Sequence, residues 1–282
     1  MSTQRTIAYR KMNGLGNEIL VVDLRGGAVD ALSGAQAAAV AAGPRSHFDQ
    51  MMVLHRPRTP GTEAYVTIYN TDGSEAQACG NGTRCIGWLV TAETGKTAFK
   101  FETVAGVLDV TVQSLQHISV DMGQPKFGWA DIPLVEAFHD TRAIELQVGP
   151  IDAPLIHSPS VVNVGNPHAV FWVDRLDIVD LGKVGPMLEH HRMFPERANI
   201  SLAQVLNARE IRLKTWERGA GLTRACGTAA CAAAVCGARK KLVDRSVTVH
   251  VPGGPLHIEW NAADHIIMSG PVEDEYAGEM VI

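Results

Sequence analysis

The sequence predicts an α/β (α+β) protein of two pseudo-symmetric domains, each a curved, mostly antiparallel sheet wrapped around one central helix. Three observations carry this prediction: polar landmarks that recur at one offset, strand-like text around each landmark, and two segments apolar on nearly every side. Gly16-Asn17 is echoed by Gly165-Asn166, and each opens an apolar run that ends in Asp, at Asp23 and Asp174. Ala78-Cys79-Gly80 is echoed by Ala225-Cys226-Gly227. The asparagines lie 149 residues apart and the cysteines 147. Gln50 and Asn199 are again 149 apart, and Asn70 and Glu217 each stand nine residues before their cysteine. Four landmarks in one order at a near-constant offset mark a duplicated unit.

The elements follow in chain order. Residues 31–42 read as a peripheral helix. Residues 63–69 alternate and are rich in β-branched and aromatic side chains, so they read as a strand, as do 99–104, 106–112 and 117–121. The segment Arg84 to Glu93 lacks proline and is apolar nearly all round, the mark of a buried helix. A switch between domains is expected near Met122-Gly123-Gln124-Pro125. The expected domains are 1–123, with 271–282 returning to it, and 124–270. In the second, 181–190 reads as a peripheral helix and 210–216 as a strand. The segment from Thr228 to Arg239 reads as a second buried helix, and 246–251 with 255–260 as a hairpin joined at Gly253-Gly254.

Composition narrows the function classes. The chain has 282 residues, 46% hydrophobic and 20% charged, which is globular and not disordered. Lys plus Arg is 25 against 30 Asp plus Glu, a net charge of -5, with no basic stripe, so nucleic acid is not an expected partner. No apolar run reaches the roughly 18 residues that span a bilayer. The first eleven residues lack the apolar core of a signal peptide, so no membrane association and a cytoplasmic location are expected. The sequence allows a homodimer without requiring one. Five cysteines, an odd number in a reducing compartment, argue against a disulfide framework. No cysteine pair has zinc-knuckle spacing, and Cys226, Cys231 and Cys236 step by five, which spreads them around a helix, so no metal is expected.

Chemistry points to two of the five cysteines. Cys85, Cys231 and Cys236 lie inside apolar helical text and read as small core residues. Cys79 and Cys226 each sit where a Gly-bearing loop meets a helix and are each followed by glycine. Unpaired N–H groups and the positive dipole end at a helix start suit a carboxylate. The same field is expected to lower a thiol pKa, making thiolate available near neutral pH. Two such thiols, one from each half and facing each other across a cleft, would suit inversion of a stereocentre, one taking a proton and the other returning one. On the residues alone, His168 reads equally as structural or catalytic, Glu217 and Arg218 as surface charges, and Asn17 and Asn166 as turn residues.

Seven motifs make the reading specific: Lys11 to Asn17, Asp49-Gln50, Asn70 to Glu75, Cys79 to Cys85, Gly165 to His168, Phe194 to Asn199 and Glu217 to Thr228. With them, the chain resembles the diaminopimelate epimerases over its whole length. The resemblance implies interconversion of LL- and meso-diaminopimelate, in lysine and cell-wall precursor synthesis, without pyridoxal phosphate or metal, on a small-molecule substrate. It implies Cys79 and Cys226 as the acid/base pair, with His168 and Glu217 as auxiliary groups. Gly80, Asn81, Gly227 and Thr228 would hold the reacting carboxylate. Asn17, Gln50, Asn70, Asn166, Asn199 and Arg218, with Glu217, would complete the substrate site. The chain departs from the family at Asn13 for a frequent His, Glu18 for Asp, Ile19 for an aromatic and Ala229 for Gly. A proline racemase-like enzyme and a non-catalytic binding protein on the same scaffold are the competing readings. Against the first stands the expectation that Arg218, desolvated, needs a distal carboxylate that a cyclic amino acid lacks.

Overall fold

In the computed structural model the chain forms two compact units, Met1–Asp121 with Ser269–Ile282, and Met122–Met268. Residues 5–27, 31–43 and 46–281 are described; the outermost ends of the expected domain spans, 1–4 and 282, lie outside them.

The first unit runs β1 (Thr6–Asn13), β2 (Glu18–Asp23), α1 (Gly34–Ala41), β3 (Gln50–His55), β4 (Ala64–Asn70), β5 (Glu75–Ala76), α2 (Gly80–Thr94), β6 (Ala98–Thr103), β7 (Gly106–Ser114) and β8 (His117–Asp121). The second runs β9 (Gln147–Val148), β10 (Ile156–His157), β11 (Ser160–Asn163), β12 (Pro167–Trp172), α3 (Leu181–Glu189), β13 (Asn199–Asn207), β14 (Glu210–Glu217), β15 (Gly221–Leu222), α4 (Gly227–Arg239), β16 (Ser246–Val251) and β17 (Gly254–Trp260). β18 (Ile266–Gly270) leads back to the first unit, where β19 (Glu273–Val281) pairs antiparallel with β1.

The duplication is written in strand register. Along β1, β2, β3, β4, β6 and β7 the pairings run antiparallel, parallel, antiparallel, parallel, antiparallel. Along β11, β12, β13, β14, β16 and β17 the same series recurs. Ile19 pairs with Gln50 in one unit, and His168 with Asn199 in the other. Tyr69 pairs with Glu75, and Trp216 with Leu222.

In each unit the strands pack against a helix that is buried over most of its length. α2 packs on β2, β3, β7 and β8, and α4 on β11 to β14, β16 and β17. Cys231, Ala232, Ala233 and Val235 of α4 are completely buried. Small residues let strands approach: a Cβ at Gly237 would lie 3.1 Å from Trp172 Cη2 on β12. α1 covers Leu20, Val22, Met51 and Val53 in the first unit, and α3 covers Ala169, Phe171, Ile200 and Leu202 in the second.

Local differences from expectation have physical causes. α2 begins at Gly80, four residues before the expected start, because Gly80-Asn81-Gly82-Thr83 forms its first turn. Glycine there reads as loop from propensity, but a Cβ at Gly82 would lie 2.4 Å from Met52 Sδ, so packing requires the small residue. The hairpin turns one residue earlier than expected, since Val251 pairs with Gly254 and leaves Pro252-Gly253 as the two-residue loop.

Candidate functional site

The candidate residues of each unit gather at one end of its strands, where the central helix starts. In the first unit Asn17 immediately precedes β2, Gln50 opens β3 and Asn70 closes β4, with Gln50 and Asn70 paired across the ladder. Asn17 Nδ2 donates to Asp49 Oδ2 over 3.4 Å, while its Oδ1 is buried with no hydrogen-bond partner. Asn70 Nδ2 donates to Ser74 Oγ at 3.1 Å, fixing the turn that leads to Cys79. Cys79 is the N-cap of α2: its sulfur accepts from Gly82 N–H at 3.2 Å and donates to Gln50 Oε1 at 2.7 Å. Gly80 and buried Asn81 form the first turn, where backbone N–H groups lack intrahelical acceptors. The loop between β1 and β2 lies on that turn, for a Cβ at Gly14 would meet Asn81 Cβ at 3.0 Å.

The departures from the family are absorbed by local bonds. Asn13 Oδ1 accepts from Gly16 N–H at 2.6 Å, and Glu18 takes an ion pair from the buried Lys11 at 2.6 Å. Ile19 and Ala229 are fully buried.

In the second unit Asn166 ends the turn before β12 and His168 is the second residue of that strand. His168 is fully buried, its Nε2 at 2.7 Å from Asn166 Oδ1 and its Nδ1 without a partner. Burial first, and the Arg218 charge second, push its pKa down to about 3, so the ring is neutral. With Nε2 donating, Nδ1 keeps its lone pair. Asn199 opens β13; its Nδ2 donates to Pro167 O at 3.0 Å and its Oδ1 accepts from Arg218 N–H at 2.9 Å. One side chain thus joins the strand carrying His168 to the loop carrying Arg218. Glu217 ends β14, and Thr223 Oγ1 donates to its Oε1.

Cys226 is the N-cap of α4, followed by Gly227 and Thr228, whose Oγ1 lies 3.4 Å from its sulfur. The expected thiolate is not what this site holds. Burial, then the nearby Glu217 charge, raise the Cys226 thiol well above its ordinary value, outweighing the Thr228 and Ala229 hydrogen bonds that lower it. A helix terminus offers a fraction of a charge, and full burial of a sulfur anion costs more than that returns. Arg218 is exposed, with Nη1 donating to Glu196 O at 3.0 Å.

Sequence reasoning missed Glu189, the last residue of α3, which is 3% exposed and bonded to Trp216 and Gly219 on either side of Glu217-Arg218. The signal existed. Leu181, Gly185, Leu188 and Glu189 share the buried helical stripe, and an acid on such a stripe needs partners. Among the described residues no group of three or more His, Cys, Asp or Glu is arranged to hold a metal ion.

Comparison with known proteins places this arrangement. The sequence model described as Diaminopimelate epimerase matches residues 9–128 and 160–274. The chain is 60% identical over 273 residues to the diaminopimelate epimerase of Brucella anthropi, covering 96% of this chain and 90% of that one. It is 58% identical over 275 residues to that of Rhizobium meliloti, covering 96% and 91%. Among solved structures it resembles a hydroxyproline epimerase from Agrobacterium vitis, with a TM-score of 0.67, 13% identity and coverage of 100% and 94%. A Bacillus anthracis phenazine biosynthesis protein of the PhzF family gives a TM-score of 0.66, 17% identity and coverage of 99% and 100%. At such identities the structures speak for the fold alone, that of the two-domain epimerases and racemases, while the sequence matches decide the family. The chain belongs to the diaminopimelate epimerase family.

Proposed function

We propose that Cys79 and Cys226 are the acid/base pair of an epimerase acting on one α-carbon of diaminopimelate. As a member of its family the chain interconverts LL-2,6-diaminopimelate and meso-diaminopimelate, an isomerisation of lysine biosynthesis. The observation that carries the assignment of the thiols is the repeated register. In each unit a cysteine stands at the N-cap position of the central helix, beside polar side chains at the ends of the equivalent strands.

The step balances without an oxidant. Cys79, once the proton it directs at Gln50 has passed to solvent, takes the α-proton as a thiolate and becomes a thiol again, leaving a carbanion next to the carboxylate. The second thiol gives its proton to the opposite face and is left as thiolate. The N–H groups of Gly80, Asn81, Gly227 and Thr228 favour the charge that develops on the carboxylate. Burial keeps Cys226 protonated before substrate binds, which is the acid's state. Glu217, hydrogen-bonded to the Cys226 side chain, is the group that relieves it of that proton when the direction reverses. His168, kept neutral by burial, serves as an auxiliary group whose Nδ1 can accept a hydrogen bond. Asn17, Gln50, Asn70, Asn166, Asn199 and Arg218 bind the remainder of the substrate. No cofactor takes part.

No helix of the described residues is long and apolar enough to cross a membrane. We place the enzyme in the cytoplasm, with a homodimer as the assembly to test by sedimentation. Product formed in deuterated water should carry deuterium at the inverted carbon, without added cofactor. Activity lost on exhaustive dialysis and restored only by pyridoxal phosphate or a divalent metal would overturn the assignment.

A further inference from the structure

We infer that Glu189 is a positioning residue that sets the loop bearing Glu217 and Arg218, by holding the Trp216 side chain before that pair and the Gly219 backbone after it through one buried carboxylate. The inference rests on the proposed roles of Glu217 and Arg218 and adds a residue outside the substrate site.

The geometry is specific. Glu189 Oε2 accepts from Trp216 Nε1 at 2.7 Å, and Oε1 accepts from Gly219 N–H at 3.0 Å. Trp216 directly precedes Glu217, and Gly219 directly follows Arg218. The turn that the carboxylate spans is closed by Ala220 N–H donating to Glu217 O at 3.1 Å, and it passes through positive φ at Gly219 (75°). Arg197 Nη1 lies 3.7 Å from Glu189 Oε1 and supplies a positive charge beside the carboxylate. Trp216 cannot slide along α3, because Gly185 lies against it; a Cβ there would come within 2.6 Å of the indole.

The position of the carboxylate is costly, which argues that it has a task. It ends a helix, where the dipole disfavours an anion, and it is withdrawn from water. An apolar side chain on the same stripe would avoid that cost but would leave the Trp216 and Gly219 donors without their acceptor. What an apolar residue cannot do is accept two converging donors from either side of a loop. Neither can glutamine, whose amide offers a single acceptor oxygen; its NH2 would then face either the indole N–H or the Gly219 N–H.

The test compares three variants with the wild-type enzyme. Glu189→Gln is expected to keep its circular dichroism, exchange amide hydrogens faster at 217–220, and lose at least about tenfold in kcat/KM. Glu189→Gln/Trp216→Phe removes the indole donor and leaves the amide oxygen to Gly219, so it should recover part of that loss. A merely structural role predicts the reverse, with the double variant worse because both side chains of the pair are altered. Should Glu189→Gln not fold, Trp216→Phe alone gives the exchange comparison, with faster exchange at 217–220 again expected. Unchanged exchange at 217–220 overturns the inference, as does unchanged kcat/KM in a variant whose loop has loosened. Wild-type enzyme inactive on diaminopimelate would count against the reaction assignment, while the exchange measurements would still decide whether Glu189 holds the loop.

Discussion

Cys226 and His168 are two buried titratable groups whose burial pushes each toward its neutral form, one as thiol and one as imidazole. Replacing Cys226 by Ala removes one proton carrier and should lower kcat by about 10² to 10⁴-fold, the usual range for a general acid or base, with little change in melting temperature. Steady-state kinetics beside a thermal melt checks this; a variant that keeps full turnover would show that Cys226 is a core residue. His168 makes a pH prediction. Its folded pKa, about 3, lies below the unfolded value near 6.5. Above that value neither state binds the proton, and His168 has no effect. As pH falls from there toward 3, the unfolded chain takes up the proton and the folded one does not. Stability should therefore drop, by at most about 1.4 kcal/mol per pH unit from this group. Urea titrations from pH 7 to 4 should show a shallower acid loss for His168→Gln than for the wild type. Equal slopes would mean the ring is not buried as a neutral base.

Among the elements, α1 shows how a peripheral helix reaches the site. A Cβ on Gly34 at its start would lie 2.3 Å from Gly73 O, within the turn from Asn70 to Ser74. Tyr69 Oη donates to Leu32 O at 2.6 Å just beside it. Backbone on backbone leaves no flexible side chain to give way. Gly34→Ala should therefore cost about 1–3 kcal/mol and raise KM through a displaced Asn70. A denaturation curve and a KM that both match the wild type would refute this. The helix starts show the limit of propensity. The apolar interior of α2 was legible, yet its first turn, Gly80 to Thr83, reads as loop until Met52 is seen packed over Gly82.

For the whole molecule, the two units offer a test of the duplication. The ends of the second unit meet, with Met122 N–H donating to Ile266 O at 2.8 Å and Ile266 N–H to Gly123 O at 2.9 Å. It also has its own core around Phe171, Ile200 and Leu202. Residues 122–268 expressed alone should unfold cooperatively in urea; a non-cooperative transition would tie its folding to the first unit. Substrate choice belongs to this scale as well. Lysine and proline lack the distal carboxylate that Arg218 is assigned, and both should be poor substrates. On the proposed assignment, the discrimination rests on the charge-assisted pair between Arg218, which is exposed, and a distal carboxylate. Comparable turnover of proline would move the specificity away from diaminopimelate.

The sequence by itself determined the duplicated order of elements and the two cysteine-capped helices, because hydrophobic periodicity, glycine placement and motif spacing are local properties of the chain. It also pointed to the polar amide side chains at strand ends, since Asn17, Gln50, Asn70, Asn166 and Asn199 stand at recurring offsets. Tertiary structure decided the charge state of Cys226, because the burial and the Glu217 carboxylate that raise it come from packing that no helix-terminus argument contains. It decided that Arg218 faces water. And it brought Glu189 to the loop of Glu217. The carboxylate and its two donors lie 27 and 30 residues apart in sequence, and only the packing of α3 on β13 and β14 makes them neighbours.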